Sequence, residues 1–597
     1  MLAEIPRSDY PRPQFRRDEW MSLNGAWAFD FDDQSVGLKE RWQEGERDFT
    51  KVIQVPFAWE SPLSGVEDMG FHDVVWYRRN FSLPDSYDGK RIILNFGAVD
   101  YEADVWVNGK LAVTHEGGHT PFSADITELL ANGTNLLVVR AYDPGSSTHI
   151  PRGKQYWEEK PRAIWYTRTT GIWQSVWLEA VAETRLDHVT FSANIERNEI
   201  SIGYTFKNAE HRQLTMRTVI KYDGELVAEE RFVVRRQEEN RAIGLGSWYG
   251  CGEDRLWSPS HPNLYEVEFE LSENGSVTDR VASYFGMRKV SIEDGRFCLN
   301  NRPVFMKLVL DQGYYPGGNL TPPSDDTIRR DIELTKEMGF NGVRKHQKVE
   351  DPRYMYWCDK LGLMVWGEMA NAYDFSAETV RRMMREWHDV IVRDYNHPCI
   401  VVWVPMNESF GAPNIQTVEC EQHHAMALYY LTKSLDYTRP VVSNDGWEQV
   451  KTDLFSLHDY DSNKETLLSR YRSVESLMAG IPYNRKMSVG EFHYAGQPVI
   501  VSECGGIRYQ KYGTGGWGYT GASDDEQFMA KLEEILGSFE RSGVVQGYCY
   551  TQLTDVEQET NGLLTFDRRP KVPLERIRRI VDSAIFYGQE ITEASFE

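Results

Sequence analysis

Eight short apolar runs in the second half of this 597-residue chain each stop at polar residues of kinds that do chemistry. In order these are Asp311 or Gln312, Arg344 with His346, Glu368, Asn407 with Glu408, Asn444 with Asp445, His458 with Tyr460, Glu503, and Tyr550 with Gln552. Carboxyl groups in such a set support acid–base and nucleophilic chemistry when one is held protonated and another ionised. His346 and His458 with Asp311 or Glu368 could instead ligate a metal, but isolated histidines are more often ordinary hydrogen-bonded side chains. The expectation is no metal and no cofactor. Arg344 among these carboxylates also has a plain structural reading, a salt bridge with Glu368.

Residues that far apart in sequence meet only if a repeating element delivers them to one place. From Val290 onward strand-like runs alternate with helical segments, which is the rhythm of parallel βαβ construction. The segment from Ser324 to Met338 opens with a serine cap and an acidic first turn, and it is followed by the short buried run F-N-G-V-R. The unit recurs as Asp351 to Leu361 before L-M-V-W-G-E and as Ala377 to Tyr395 before I-V-V-W-V-P-M-N-E. With a first run near Phe305 to Val309 and later runs P-V-V-S-N-D, D-L-F-S-L-H-D-Y, V-I-V-S-E and V-V-Q-G-Y-C-Y, the pattern predicts a (β/α)8 barrel. In that fold chemistry gathers at the C-terminal ends of the strands, where the polar residues above would stand.

The first half reads differently. From Gly25 to Leu178, runs such as V-V-W-Y-R-R-N-F and A-D-V-W-V-N-G alternate apolar and polar residues between Gly, Asn, Asp and Pro breaks. That is an antiparallel sandwich, with Asn108-Gly109 as a hairpin turn. From Thr184 to Phe285 a second alternating set, including Y-E-V-E-F-E-L, fits a small immunoglobulin-like sandwich without the Cys-Trp-Cys pattern of antibodies. The expected domains are 1–182, 183–286 and 287–597.

A net charge of −24 argues against nucleic acid and anionic membranes, because a negative field repels phosphate. Eighteen tryptophans and thirty-one tyrosines suit stacking on the C–H faces of sugars, but buried aromatics are also ordinary core material. Cysteines such as Cys251, Cys298, Cys358, Cys399, Cys504 and Cys549 form no C-x-x-C pair and read as reduced thiols. The charged, proline-bearing N-terminus lacks the apolar run of a signal peptide, so a cytoplasmic location is expected. A homo-oligomer is compatible with all of this.

In order along the chain, L-N-G-A-W-A-F at Leu23, V-W-V-N-G at Val105, N-N-R-P-V-F-M-K ending at Lys307, E-M-G-F-N-G-V-R at Glu337, D-P-R-Y-M-Y-W-C-D-K-L-G-L-M-V-W-G-E at Asp351 and N-H-P-C-I-V-V-W-V-P-M-N-E-S at Asn396 complete a pattern. The chain resembles glycoside hydrolase family 2, which includes β-galactosidases, β-glucuronidases and β-mannosidases. The resemblance implies a jelly-roll sugar-binding-like domain, an immunoglobulin-like domain and a catalytic barrel. It implies a retaining exo-glycosidase acting on an oligosaccharide or glycoside, with Glu408 as acid/base and Glu503 as nucleophile. Glycoside cleavage needs one protonated and one ionised carboxyl, so the residue types agree. Arg344 would help keep Glu503 ionised, Tyr460 matches the family's tyrosine that orients the nucleophile, and Asn407 matches the asparagine that binds the sugar 2-hydroxyl.

Departures from the family bear on the sugar. The first strand is followed by Asp311-Gln312 where an Asn-Arg-His run is common, the second by His346-Gln347 where Ser-His is common, and Tyr550 stands where many relatives place Trp. The Asn-x-Lys element with which β-glucuronidases recognise a carboxylate is not visible in T-N-G-L-L-T-F-D-R-R-P-K. A β-galactosidase-like specificity is therefore expected, with arabinosidase or galactofuranosidase as the alternative on the same two-glutamate mechanism, and a non-hydrolytic carbohydrate-binding protein as a different class. Asp311, Gln312, His346, Gln347, Glu368 and His458 are taken as sugar contacts. Trp517, in the glycine-rich loop after V-I-V-S-E, is a candidate platform on a flap, whereas Trp366 and Trp403 read as core. The loop from Pro151 to Trp173, with three tryptophans and several arginines, either walls the pocket or packs two domains together.

Overall fold

The computed structural model describes residues 5–246, 255–513 and 515–583; Cys251 lies outside the described residues. The first sandwich pairs a six-stranded antiparallel sheet, including Gly25–Phe31, Val74–Ser82 and Thr134–Tyr142, with a four-stranded sheet built around Arg91–Phe96 and Val176–Val181. Alternation closes its core: Trp27 and Phe29 are buried while Ala26 is exposed. Asn108 and Gly109 both take positive φ, the backbone of a two-residue hairpin turn.

The second sandwich sets three strands, Arg185–Asn194, Glu199–Lys207 and Glu238–Gly244, against four that include Leu214–Tyr222 and Tyr265–Glu273. In Tyr265–Glu273 the aromatic and aliphatic residues point inward and the glutamates outward, so a one-residue slip would bury a row of carboxylates. A cluster containing Phe191, Tyr204, Phe232, Phe269 and Phe285 fills the interior.

The last and largest core belongs to a curled parallel sheet. Its seven strands, in spatial order, are Ile400–Val404, Met364–Glu368, Gly342–Lys345, Met306–Asp311, Val545–Thr551, Val499–Gly505 and Phe455–Asp459. Helices cover the outside. Asp325–Glu337 is capped by Ser324, and Pro352–Leu361 is capped by Asp351 with proline in its first turn and Gly362 in the left-handed region after it. Each such cap contributes about 1 kcal/mol. Trp366 and Trp403 are fully buried in this core, as their place in apolar runs required.

The fifth expected strand differs from the sequence pattern. Residues 440–445 follow the strand Ile400–Val404 through parallel bridges at Trp403–Val441 and Asn407–Asp445, but among the described residues no backbone ladder joins them to Phe455–Asp459. Pro440 has no N–H to give, and the run turns away at Gly446, whose φ is +100°. Side chains seal the gap: Gln449 donates to Ser456 O at 2.6 Å, and His458 reaches Asp445 at 3.1 Å.

Candidate active site

Glu503 ends the central part of the strand Val499–Gly505 and is buried. Arg344 Nη1 donates to its Oε1 at 2.7 Å, and the Tyr460 hydroxyl donates to Oε2 at 2.6 Å. Burial alone would raise this carboxyl; the charges of His458 and Arg344, with the Tyr460 hydrogen bond, outweigh it and hold the group down at about 2. The result is a carboxylate ionised at neutral pH, with 7% of its side-chain surface exposed.

Arg344 is the hub of that arrangement. Besides Glu503, its guanidinium meets Glu368 Oε2 at 2.8 Å, Asp445 Oδ2 at 3.0 Å and Asn407 Oδ1 at 2.6 Å, with no exposed surface. The structural pairing with Glu368 and the pairing with Glu503 therefore coexist. Because Asn407 spends its oxygen on Arg344, its Nδ2 is left buried without a partner, a donor available to a ligand.

Glu408 stands opposite and is built differently. Its backbone and that of Ser409 take φ of +50° and +61°, an uncommon region for residues with a Cβ, and hydrogen bonds from Glu408 N to Asp445 O and from Ser409 N to Asn444 Oδ1 hold them there. The side chain keeps 18% of its surface exposed and touches His458 Nδ1 at 2.8 Å. One oxygen each of Glu408 and Glu503 and a ring nitrogen of His458 lie within 4.8 Å of one another.

The first sandwich supplies one wall. Arg152 N and Gly153 N donate to Asn371 O, and Gly153 lies so close to Gln347 O that a Cβ would stand 2.0 Å from it, with φ of +61°. Only glycine fits there. The step carries Lys154 inward, 7% exposed, where its charge acts on His346 and Glu559 while no hydrogen bond or ion pair among the described residues holds its ammonium. Tyr166 donates to Glu559, and Gln558 Nε2 donates to Ala163 O and Trp165 O, tying the same loop to the segment after the last strand.

Models of glycosyl hydrolases family 2 match three consecutive stretches: the sugar-binding domain over residues 20–181, the central family 2 domain over 184–288 and the TIM-barrel domain over 290–513. The chain belongs to glycoside hydrolase family 2. Family 2 relatives include a β-galactosidase of Thermoanaerobacter pseudethanolicus, 26% identical over 74% of this chain and 56% of its own length. Rat β-glucuronidase is 26% identical over 71% of this chain and 68% of its own. The chain thus spans only about half to two thirds of the curated relatives it matches. Among solved structures, a β-glucuronidase of an uncultured Clostridium sp. superposes with a TM-score of 0.76 at 21% identity, covering 95% of this chain and 99% of that one. The β-glucuronidase of Ruminococcus gnavus in complex with D-glucuronic acid gives 0.75 at 20%, covering 96% and 100%. These last two likenesses are of fold.

Within this family 2 frame the residues expected to touch sugar divide into two groups. Gln312 is buried with a free Oε1, Asn407 offers Nδ2, and His346 lines the floor beside Glu368 at 2.9 Å. That His346–Glu368 approach is not a hydrogen bond, since its geometry leaves Nδ1 unpartnered, nor an ion pair, since burial holds the ring well below its ordinary range.

The others are spent internally. Asp311 accepts from Lys345 Nζ at 2.7 Å and from Gly313 N at 2.9 Å. Gln347 Nε2 donates to Asn371 Oδ1 and its Oε1 accepts from the Asn371 backbone N–H, and Glu368 accepts from Arg344 and from Gln347 N. His458 is held between Glu408 and Asp445. Tyr550 packs over Gly505 with its hydroxyl directed at Asn561 O, 3.4 Å away, so it is Thr551, 3.1 Å from the Tyr460 hydroxyl, that the last strand brings to the site.

Trp517 donates its ring N–H to Ala163 O, which fastens the glycine-rich loop to the sandwich, and its ring meets the edge of Tyr519. Tyr519 itself stacks on Tyr460 with ring centroids 3.4 Å apart. Sequence reading passed over Tyr519, Lys154, Glu559 and Thr551; each lies in a loop or at a strand end where periodicity is silent. Of the three tryptophans of the 151–173 loop, Trp173 is core, while Trp157 and Trp165 cluster with Tyr373 at the rim. The loop therefore both packs domains and walls the site.

Two groups of side chains could gather around a cation among the described residues: Asp359 with His397 and Cys399, and Glu408 with His458 and Glu503. In the first, Asp359 already accepts from Tyr284 and Cys399 N and contacts His397. In the second, Arg344, Tyr460 and Asp445 partner the same groups. Both are satisfied by protein atoms. No helix among the described residues is long and apolar enough to cross a membrane.

Proposed function

We propose that this family 2 protein is a retaining exo-glycosidase in which Glu503 is the nucleophile and Glu408 the acid/base. The observation that carries the reading is the spacing of the two carboxyls, whose nearest oxygens lie within 4.8 Å. Inversion needs room for a water between carboxyls roughly 6.5–9.5 Å apart, whereas retention needs about 5–5.5 Å. Glu503 attacks the anomeric carbon as Glu408 protonates the departing oxygen; water, deprotonated by Glu408, then releases the sugar. The partly exposed Glu408 faces the leaving group and the incoming water, while Glu503 needs no solvent. A purely sugar-binding protein would have no use for a carboxylate held ionised by Arg344 and Tyr460.

For the sugar, free amide atoms on Gln312, Gln552 and Asn407 match neutral hydroxyls and support a β-galactosidase-like substrate. An arabinoside or galactofuranoside would use the same atoms. A second reading, an anionic glycoside, is favoured by one observation: the unpaired ammonium of Lys154, which enters from the sandwich and not from the segment after the last strand where the Asn-x-Lys element was sought. A panel of nitrophenyl galactopyranosides, galactofuranosides, arabinosides and glucuronides decides between them. Turnover of none by the wild-type chain would reject the enzyme reading, and NMR of the first-formed sugar anomer tests retention.

A further inference from the structure

His458 faces three carboxylates and has only two ring nitrogens. Nε2 lies 3.1 Å from Asp445 Oδ2, while Nδ1 lies 2.8 Å from Glu408 Oε1 and 3.5 Å from Glu503 Oε2. A neutral imidazole carries one N–H and would turn a lone pair toward one of these anions; the imidazolium donates from both nitrogens. The other groups around the ring are the edge of Trp447, with centroids 5.4 Å apart, Gly446 beneath it, Arg344 beyond Asp445, and His346, whose own protonation the His458 charge disfavours.

We propose that His458 is a positioning residue, a fixed cation whose Nδ1–H holds Glu408, 2.8 Å away, for the second half of the reaction while its charge also faces Glu503. The proposal rests on the assignment of Glu503 as nucleophile and Glu408 as acid/base. On that assignment Glu503 is the attacking anion of the first half and Glu408 its proton donor. In the first half, a Glu503 oxygen bonds to the anomeric carbon, the glycosidic C–O bond breaks, and the Glu408 proton goes to the departing oxygen. Glu503 is now a neutral ester and Glu408 an anion, already 2.8 Å from Nδ1. In the second half, Glu408 takes a proton from water, the water oxygen bonds to the anomeric carbon, and the bond to Glu503 breaks with its electron pair returning to the carboxylate. His458 keeps both protons throughout, anchored through Nε2 by Asp445, which accepts from Ser502 at 2.8 Å on its other oxygen. Burial opposes the ring's charge, but Glu503, Asp445 and Glu408 raise His458 to about 10 in this structure, and Asp445 with one ionised catalytic carboxylate stays beside the ring in each half of the reaction.

The test uses the full chain with 2,4-dinitrophenyl and phenyl glycosides of the sugar that the nitrophenyl panel selects. His458→Asn keeps a neutral N–H near the Nδ1 position and loses the charge; His458→Gln is the companion variant, and circular dichroism establishes that both fold. With the dinitrophenyl glycoside, kcat falls by about 10²-fold while kcat/KM falls less than about 10-fold, because loss of a fixed charge beside the general base slows the water step most. Glycosyl-enzyme accumulates in the variants, seen as an added sugar mass on the intact protein, and the alkaline limb of kcat moves. Equal losses in kcat and kcat/KM with an unmoved pH profile, or no loss in either, would overturn the proposal. Glu503→Ala on the same glycosides separates the two failures: if it retains turnover, the catalytic assignment itself is wrong. For a wild-type readout, the pH dependence of reactivation of the 2-deoxy-2-fluoroglycosyl enzyme should show the same alkaline limb as kcat; a limb in kcat that is absent from reactivation counts against the proposal.

Discussion

The floor of the site and its wall are built by opposite rules. On the floor, from the barrel, every charge is answered: Arg344 meets Glu368, Asp445, Asn407 and Glu503, and Lys345 meets Asp311 and Glu350. On the wall, from the sandwich loop and the turns after the first and last strands, Lys154, Gln312 and Gln552 keep polar atoms unanswered among the described residues. A satisfied buried network is rigid and is costly to break, so it suits chemistry that must happen the same way each time. Unanswered polar atoms discriminate ligands, because the wrong sugar leaves them unpaired. On the proposed function, the floor would set the reaction and the wall the substrate.

The sharpest way to break the comparison is Glu503→Gln, which removes the proposed nucleophile and leaves the wall intact. Turnover should fall by roughly 10⁴-fold or more while bound sugar remains detectable by calorimetry. Glu408→Gln should lose about 10²–10⁴-fold on phenyl glycosides and much less on dinitrophenyl glycosides, whose leaving group needs no proton. Azide should restore Glu408→Ala, giving a glycosyl azide of retained configuration; an azide of inverted configuration would reverse the two roles.

Arg344→Met tests the floor as structure. It leaves Glu368, Asp445 and Glu503 facing one another without their shared cation, and loss of one partner of a buried pair costs about 3–5 kcal/mol. Chemical denaturation should show that loss, and the acidic limb of kcat/KM should move to higher pH as Glu503 loses its counter-ion. A variant as stable as wild type would mean that the network is not rigid.

Protonation gives a smaller effect with a definite sign. Glu503 is lowered from 4.5 to about 2, so its contribution to stability is present above pH 4.5 and is lost as pH falls toward 2. His458 is raised from 6.5 to about 10, so its contribution is full below pH 6.5 and is lost as pH rises toward 10. Melting curves across pH should show both limbs, and His458→Asn should lack the alkaline one. The smallest effect on stability belongs to the wall. Lys154→Met should leave melting nearly unchanged yet shift the ratio of kcat/KM between a glucuronide and a galactoside by about 10-fold or more, the value of one charge-assisted hydrogen bond in a partly desolvated site. An unchanged ratio would remove Lys154 from substrate selection.

Legibility followed the same division. The floor could be read from the chain because each of its residues ends an apolar run, and a parallel barrel places all such ends on one side. Arg344, Glu503, Tyr460, Asn407 and Glu408 were found that way and through the motifs around them. Asp311, Gln347, Glu368 and His458 were found equally easily but expected to bind sugar, because a sequence shows that a polar residue arrives and not which neighbour satisfies it. Tyr550 lies in the strand Val545–Thr551, where successive side chains leave on opposite faces, and its neighbour Thr551 is the group beside Tyr460.

What the sequence by itself determined is the order of layers and the family, carried by periodic burial and by contiguous motifs; through the resemblance it also named the two glutamates, arginine and tyrosine proposed for the site. What only the tertiary structure decided is who pairs with whom. The spacing of Glu408 and Glu503, the ring of His458 held between carboxylates, and the delivery of Lys154 past Gly153 depend on contacts between segments hundreds of residues apart in some cases and on side-chain directions within them. Local sequence sets backbone propensity and burial; it does not set the angle at which a loop of one domain meets the strand ends of another.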